Sequence, residues 1–526
     1  FVFELFNVNQ KISNISFEIF LPLIFFGSLI LYLICFIMFL NNNPLFVTVK
    51  AKAYHFFAIF IVFLMILFTL QLIDLVNYWE SASYSFKIEH SLGNSILFSS
   101  VEGKLWLQLV ILIFGFLGLI ITNQAVVMVQ SSLLFPIFVL SSLLGALCVV
   151  AAGDWLFLYI SLELMAISFL FLIVIKKNIH SLEAAIKYFI VSAFSGFFLL
   201  FGLSYLYLIF GALDFNTLEY FLCSSDFFSA QNLAFELTEK NVFLPIVQKG
   251  LIFILISFSI KLGAAPFHMW VPDVYEGAPS YSTLFLILIP KIPVISFLIY
   301  LLYHIFFNFL EIFQIFFLVL GLCSLLVGSL GALQQTKLKR MLAYSSIADT
   351  GFLYLGLSTG TLYGLQSVFL YLILYSLFSL IIWGIIIWFE SQLTRNYQIT
   401  RTDLLSTKYT MGILLIPVVS SLIGLPPFVG FWSKWVLLLS AVKAQLILGV
   451  LFFVIGSVLS SVYYLRILKV SFFEVKNFNI KWFSFDKIDF LFLWVLSILF
   501  VLILFFSIDL RLILFISQKI TLSLIF

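Results

Sequence analysis

The chain has 526 residues, 63% hydrophobic and 10% charged, with a mean hydropathy of +1.20 and a formal net charge of +3. A soluble domain carries charge on about a quarter of its residues, so a soluble fold is excluded, and so small a net charge argues against nucleic acid as a partner. Apolar runs of about 20 residues recur from end to end, each able to cross a bilayer as a helix; a β-barrel would show short alternating segments instead. The fold class is an all-α polytopic membrane protein.

About fourteen spans are expected. In chain order they lie near residues 17–40, 54–74, 104–122, 126–151, 155–175, 183–211, 244–271, 280–303, 311–333, 339–358, 363–389, 410–441, 445–469 and 488–508. They divide into an N-terminal group over 1–125, a first repeat over 126–303, a second repeat over 311–469, and a C-terminal loop with the last span over 470–526. The longest polar connection, 212–243, carries Asp214, Glu219, Asp226, Glu236 and Glu239 and reads as an extramembrane loop. No Arg/Ser-rich transit peptide or cleavage signature is expected at the start.

Loop charge supports this count. Loops after odd-numbered spans carry Lys50 and Lys52, Lys176 and Lys177, then Lys337, Lys339 and Arg340, then Arg395, Arg401 and Lys408, then Arg466, Lys469 and Lys476. Loops after even-numbered spans are mostly acidic, with Asp74, Glu80, Glu89 and Glu102, the 212–243 cluster, and Glu311. The basic side is the cytoplasmic or matrix side, and both termini then face the other way. Asp273 and Glu276 break the pattern on the basic side.

Two segments share the pattern G-x-x-P-F: Gly263 to Pro266 and Phe267, and Gly424 through Pro426 and Pro427 to Phe428. Each lies in a span too long for one straight helix. Proline removes a backbone N–H and clashes with the preceding turn, so both spans are expected to be interrupted. Interrupted helices at matching places in two halves mark ion pathways in transporters; plain proline kinks are the alternative.

Four charges stand out inside expected spans: Glu163 in the fifth, Lys261 before the break of the seventh, Lys291 between Pro290 and Pro293 in the eighth, and Lys434 after the break of the twelfth. Each costs roughly 2.5–3.5 kcal/mol at a helix centre, so pairing or hydration must offset it. Lys434 could instead snorkel to the interface. Lys187 sits four residues after Glu183, which fits either a surface pair or a functional lysine. His268 is either a proton relay or a hydrogen-bonded structural group. Freed carbonyls and water at the break are expected to solvate Lys261. Lys261, Lys291 and Lys434 should form a row with Glu163 at one end.

Cys35, Cys148, Cys223 and Cys323 are scattered singly, so no metal or iron–sulfur site is encoded. Neither a dinucleotide nor a P-loop fingerprint is present. The 67 phenylalanines fit an AT-rich organelle genome.

The segments SIKLGAAPFHMWVPDVYEGAPS, GALQQTKLKRMLAYSSIADTG, SLEAAIKYFIVSAFSG and GLPPFVGFWSKW together resemble subunit 2 of respiratory complex I, within the wider antiporter-like family. The resemblance covers about residues 100–470. It implies fourteen helices with two inverted repeats, and a membrane-arm proton pump driven by quinone reduction elsewhere. It further implies that Glu163 pairs with Lys261, and that Lys187, Lys291, Lys434 and His268 serve proton translocation. Redox chemistry would lie on other subunits, which carry NADH, FMN, iron–sulfur clusters and ubiquinone; this chain would bind no cofactor. The implied partners are the other membrane-arm subunits, including sister antiporter-like subunits, and lipid. The implied location is the mitochondrial inner membrane, with both termini in the intermembrane space. The competing readings are a cation/proton antiporter subunit without redox coupling and a membrane scaffold; the intact lysine series weighs against the scaffold.

Overall fold

The computed structural model describes residues 22–33, 47–85, 92–128, 134–223, 240–392, 409–473 and 490–525. Among them every named element is helical, and the one isolated β-bridge joins Asp154 to Asp214. The N-terminal group is α1 (Pro22–Leu33), α2 (Val47–Ser85) and α3 (Leu92–Met128). The first repeat comprises α4 (Phe135–Ala151), α5 (Trp155–Val174), α6 (Ile179–Phe210), the short α7 (Phe215–Cys223), α8 (Lys240–Leu262), α9 (Trp270–Gly277), α10 (Ser280–Leu288) and α11 (Lys291–Tyr300). The second comprises α12 (Leu310–Gln334), α13 (Leu338–Ser358), α14 (Leu362–Gln392), α15 (Tyr409–Ile423), α16 (Val429–Lys443) and α17 (Ile447–Phe473). Helices α18 (Phe490–Ile508) and α19 (Arg511–Ile525) close the chain.

Each of the fourteen expected segments holds helix. Nine stretches among the described residues are long and apolar enough to cross a membrane, and the bent pair α18–α19 can count as a tenth. Burial separates centre from rim. The apolar stretches Ser280–Ile305 and Leu362–Glu390 are 89% and 94% buried inside the protein, against 33–39% for those of α2, α6, α12 and α17. The rim helices present apolar side chains outward, such as Phe194 and Phe197 on α6 and Val458 on α17, as a lipid-facing surface requires.

The two repeats pack alike. Helix α4 lies against α5 as α12 lies against α13, and α5 meets α6 as α13 meets α14. Both predicted breaks are present. At the first, the helix ends at Leu262 and Gly263 turns left-handed at φ 70°, a conformation a side chain would strain. The N–H groups of Gly263 and Ala264 then take the carbonyls of Ile260 and Ser259. At the second, Gly424 turns at φ 87°, and Gly424 and Leu425 take the carbonyls of Ser420 and Ser421. The Ala265–Pro266 and Pro426–Pro427 peptides are cis.

Three expectations need correction. The eighth span is not one helix: α10 ends at Leu288, α11 starts at Lys291, and a π-helical turn follows over Leu301–Ile305. Pro290, lacking an N–H, sits at this junction. The 212–243 connection is not loop throughout, because Phe215–Cys223 forms α7. The C-terminal region holds a further helix beyond the last span, with α19 bent 87° from α18. The expectation that Arg401 lies on one face with Asp226 and Glu236 on the other falls outside the described residues.

The second break depends on close approach of its two halves. A Cβ on Gly430 would lie 1.7 Å from the Ser421 carbonyl oxygen, so α16 crosses α15 at a distance only glycine permits. Gly430→Ala is expected to cost about 1–3 kcal/mol or more through overpacking. The measurement is the midpoint of thermal unfolding of the purified protein, which should fall; an unchanged midpoint would contradict this packing.

Candidate functional site

The buried charges form two groups. In the first, Glu163 projects from the middle of α5 and Lys261 from the last turn of α8. Lys261 Nζ lies 3.8 Å from Glu163 Oε1, with side chains 8% and 27% exposed. Space for the carboxylate comes from Gly196 on α6, where a Cβ would approach Glu163 Oε1 to 2.8 Å. Tyr188 of α6 stacks edge-on against Trp270 at 5.6 Å, beside the break.

The carbonyls at this break do not solvate Lys261, contrary to expectation. The Trp270 indole Nε1–H donates to the Ile260 carbonyl at 3.1 Å, alongside the Gly263 N–H, and Lys261 Nζ makes no hydrogen bond among the described residues. Helical side chains lean toward the N-terminus of their own helix. Lys261 precedes its break and so leans away from the freed carbonyls. His268 is buried within the interruption, its imidazole facing the Pro266 carbonyl.

Lys434 follows its break, and the same lean carries it back over the gap. Its Nζ donates to the carbonyls of Leu422 at 2.6 Å and Ile423 at 3.0 Å. It is buried, not snorkelled. Lys291, in the first turn of α11, is 5% exposed. Its Nζ donates to the Ser346 carbonyl at 3.3 Å and the Tyr375 hydroxyl at 3.4 Å, and lies 4.4 Å from the Tyr375 ring centre. A cavity lined by Tyr371, Tyr375, Ser421, Ser433 and Lys434, among others, adjoins Lys434. Its volume is about 10 Å³, the order of one water molecule.

A residue missed in the sequence lies within the electrostatic reach of both lysines. Asp349, in the middle of α13, is buried and accepts a hydrogen bond from the Tyr371 hydroxyl at 2.5 Å. The charges of both Lys291 and Lys434 act on it. The test that singled out Glu163, an acid inside an expected span, would have found it. Tyr371 and Tyr375 carry no such signal in a chain with 22 tyrosines.

Lys187 belongs to neither buried group. It joins a network on the basic face, 2.8 Å from Glu183 and 2.9 Å from Asp273. Arg340 reaches Asp273 at 3.5 Å and Glu276 at 3.3 Å, Lys337 pairs with Glu276, and Lys339 reaches Glu390 at 2.6 Å. No hydrogen bond or ion pair directly joins Lys261 to Lys291 among the described residues.

Residues 152–460, which contain every buried charge named above, match the family described as NADH:quinone oxidoreductase/Mrp antiporter, transmembrane. The chain belongs to this family. It is 35% identical over 340 residues to NADH-quinone oxidoreductase subunit N of Ruthia magnifica subsp. Calyptogena magnifica, covering 64% of this chain and 68% of that one. It is 34% identical over 344 residues to NADH-ubiquinone oxidoreductase chain 2 of Metridium senile, covering 65% and 84%. The fold is similar to a chain of respiratory complex I from Thermus thermophilus with bound Aureothin, with a TM-score of 0.67, 23% identity and coverage of 94% and 98%. It is also similar to a chain of the Mrp complex from Dietzia sp. DQ12-45-1b, with a TM-score of 0.70, 17% identity and coverage of 98% and 97%. The fold is thus shared with a chain of a respiratory complex I and a chain of an Mrp complex.

In this family member, Lys434 holds the second break together. Lys434→Met would leave the Leu422 and Ile423 carbonyls without their donor in a buried place. The expected loss is about 1–3 kcal/mol for such an unsatisfied group. It is read as earlier thermal unfolding, with faster proteolysis at the α15–α16 junction. Unaltered unfolding and proteolysis would mean that the lysine does not support the break.

Proposed function

We propose that the chain is a proton-translocating membrane subunit of NADH:quinone oxidoreductase. The observation that carries this reading is the placement of protonatable groups in both repeats inside the bundle. Glu163 and Lys261 form one group; Lys291, Asp349, the two tyrosines and Lys434 form the other. Amines, carboxylates, hydroxyls and water within hydrogen-bond reach are the parts a proton relay needs. A lysine beside a carboxylate is favoured in its charged form and loses that support when the carboxylate is protonated, so protonation at one place changes affinity at the next.

The curated relatives are named as NADH-quinone oxidoreductase subunits, which favours the redox-coupled reading over a stand-alone cation/proton antiporter. The chain acts as one subunit of the enzyme, with other subunits of the complex as partners. On this proposal, NADH, FMN, iron–sulfur clusters and ubiquinone are handled by those other subunits. Sister antiporter-like subunits would flank the chain, with lipid against the apolar rim. The phenylalanine-rich composition supports the mitochondrial inner membrane, while relatives of equal similarity are bacterial. In the mitochondrial case the basic face would meet the matrix and both termini the intermembrane space.

The experiment is Lys261→Met in the intact complex, reconstituted into vesicles and driven by NADH. Proton uptake and quinone reduction should both fall, by about tenfold or more if a relay group is lost. Glu163→Gln should resemble it. Unchanged protons per electron in assembled Lys261→Met complex would remove this reading, and co-purification without a flavin and iron–sulfur enzyme would point to the antiporter.

A further inference from the structure

We propose that Asp349 is the proton-carrying carboxylate of the second repeat, the counterpart of Glu163 in the first, and that it passes protons between Lys291 and Lys434. The inference rests on the reading that the chain moves protons.

The repeat supplies the first argument. Helices α5 and α13 are second in their repeats, and each carries one acid near its middle, the partly exposed Glu163 and the buried Asp349. The interrupted helix of each repeat carries one buried lysine, Lys261 and Lys434. The correspondence holds at the level of helices, because Lys261 lies before its break and Lys434 after.

Local chemistry supplies the second. Asp349 Oδ1 is held by Tyr371, while Oδ2 is buried with no hydrogen-bond partner among the described residues. A buried carboxylate oxygen without a donor is costly unless water or a proton occupies it. Tyr371 also lines the small cavity that Tyr375 and Lys434 border. Lys291 reaches the same cavity wall through the Tyr375 hydroxyl. An ammonium has three donors; Lys434 uses two on carbonyls, which leaves one for the cavity. One water there would link Lys434 to the tyrosines that contact Lys291 on one side and Asp349 on the other.

The transfer balances without electrons. An N–H bond of the Lys291 ammonium breaks and leaves the neutral amine, while an O–H bond forms on Asp349. That O–H then breaks as the neutral amine of Lys434 gains an N–H, and the carboxylate is restored. One proton has moved from α11 to α16.

The test uses the intact complex in vesicles with four variants side by side: Asp349→Asn, Asp349→Glu, Tyr371→Phe and Lys261→Met. Protons per NADH and the redox-driven infrared difference spectrum are recorded for each. Asp349→Asn should lower pumping about tenfold or more at normal complex content and remove a protonated-carboxyl band. Asp349→Glu should restore pumping with that band moved, and Tyr371→Phe should move the band by removing its donor. Full pumping in Asp349→Asn, or a band unaltered by every Asp349 and Tyr371 change, would overturn the assignment. Should Asp349→Asn fail to assemble, the band positions in Asp349→Glu and Tyr371→Phe decide alone. Loss of pumping in Lys261→Met with full pumping in Asp349→Asn would sink only the Asp349 assignment. Full pumping in Lys261→Met would sink the functional reading beneath it.

Discussion

A charge inside hydrocarbon must find a partner, and the interior of this protein is arranged by that requirement. Breaking a buried pair by removing one partner costs about 3–5 kcal/mol, because the survivor is left uncompensated. Glu163 and Lys261 answer with each other. Lys434 answers with two carbonyls that a helix break has released. Lys291 answers with a carbonyl, a hydroxyl and an aromatic face, close to the carboxylate of Asp349. None of these solutions is available to a straight helix facing lipid. The charges therefore sit in or against the most buried helices, and apolar residues are left to the rim.

The two breaks show how one geometric rule gives two outcomes. Both begin with a left-handed glycine and a proline, and both release carbonyls. The lean of side chains toward a helix's own N-terminus then decides who receives them. In the first repeat the lysine precedes the break, so an indole and backbone amides take the carbonyls and the lysine is left to a carboxylate. In the second the lysine follows the break and takes the carbonyls itself. That difference makes a carboxylate near Lys434 a separate matter from holding the break, and frees Asp349 for another role.

Much of this was legible in the sequence, for reasons that also explain what was not. Hydropathy located the spans because the rim helices meet lipid, and G-x-x-P-F located both breaks because glycine and proline have local backbone consequences. Asp349 escaped because it lies in the polar stretch Tyr344-Ser-Ser-Ile-Ala-Asp349-Thr350, where an acid does not stand out as Glu163 does among aliphatic residues. Helix α13 tolerates that polarity because it is buried almost throughout. Helix α19 escaped because Arg511, Gln518 and Lys519 interrupt its apolar run; only its packing across α3 and α14, with Lys519 3.5 Å from Glu102, reveals it. The split of the eighth span was signalled by Pro290 yet hidden by the apolar residues around it.

The one violation of loop-charge alternation has a structural cause. Asp273 and Glu276 lie on α9, the continuation of the first break, and they face the start of α13 in the second repeat. Arg340 bridges both acids, Lys337 holds Glu276, and Lys187 draws Asp273 back toward α6. The acids on the basic side are thus the complement of basic residues that belong to the other half. Exposed pairs of this kind contribute little singly, and more when geometry and networks fix them. Their value here is positional: the segment leaving the Lys261 break is tied to the helix that carries Asp349.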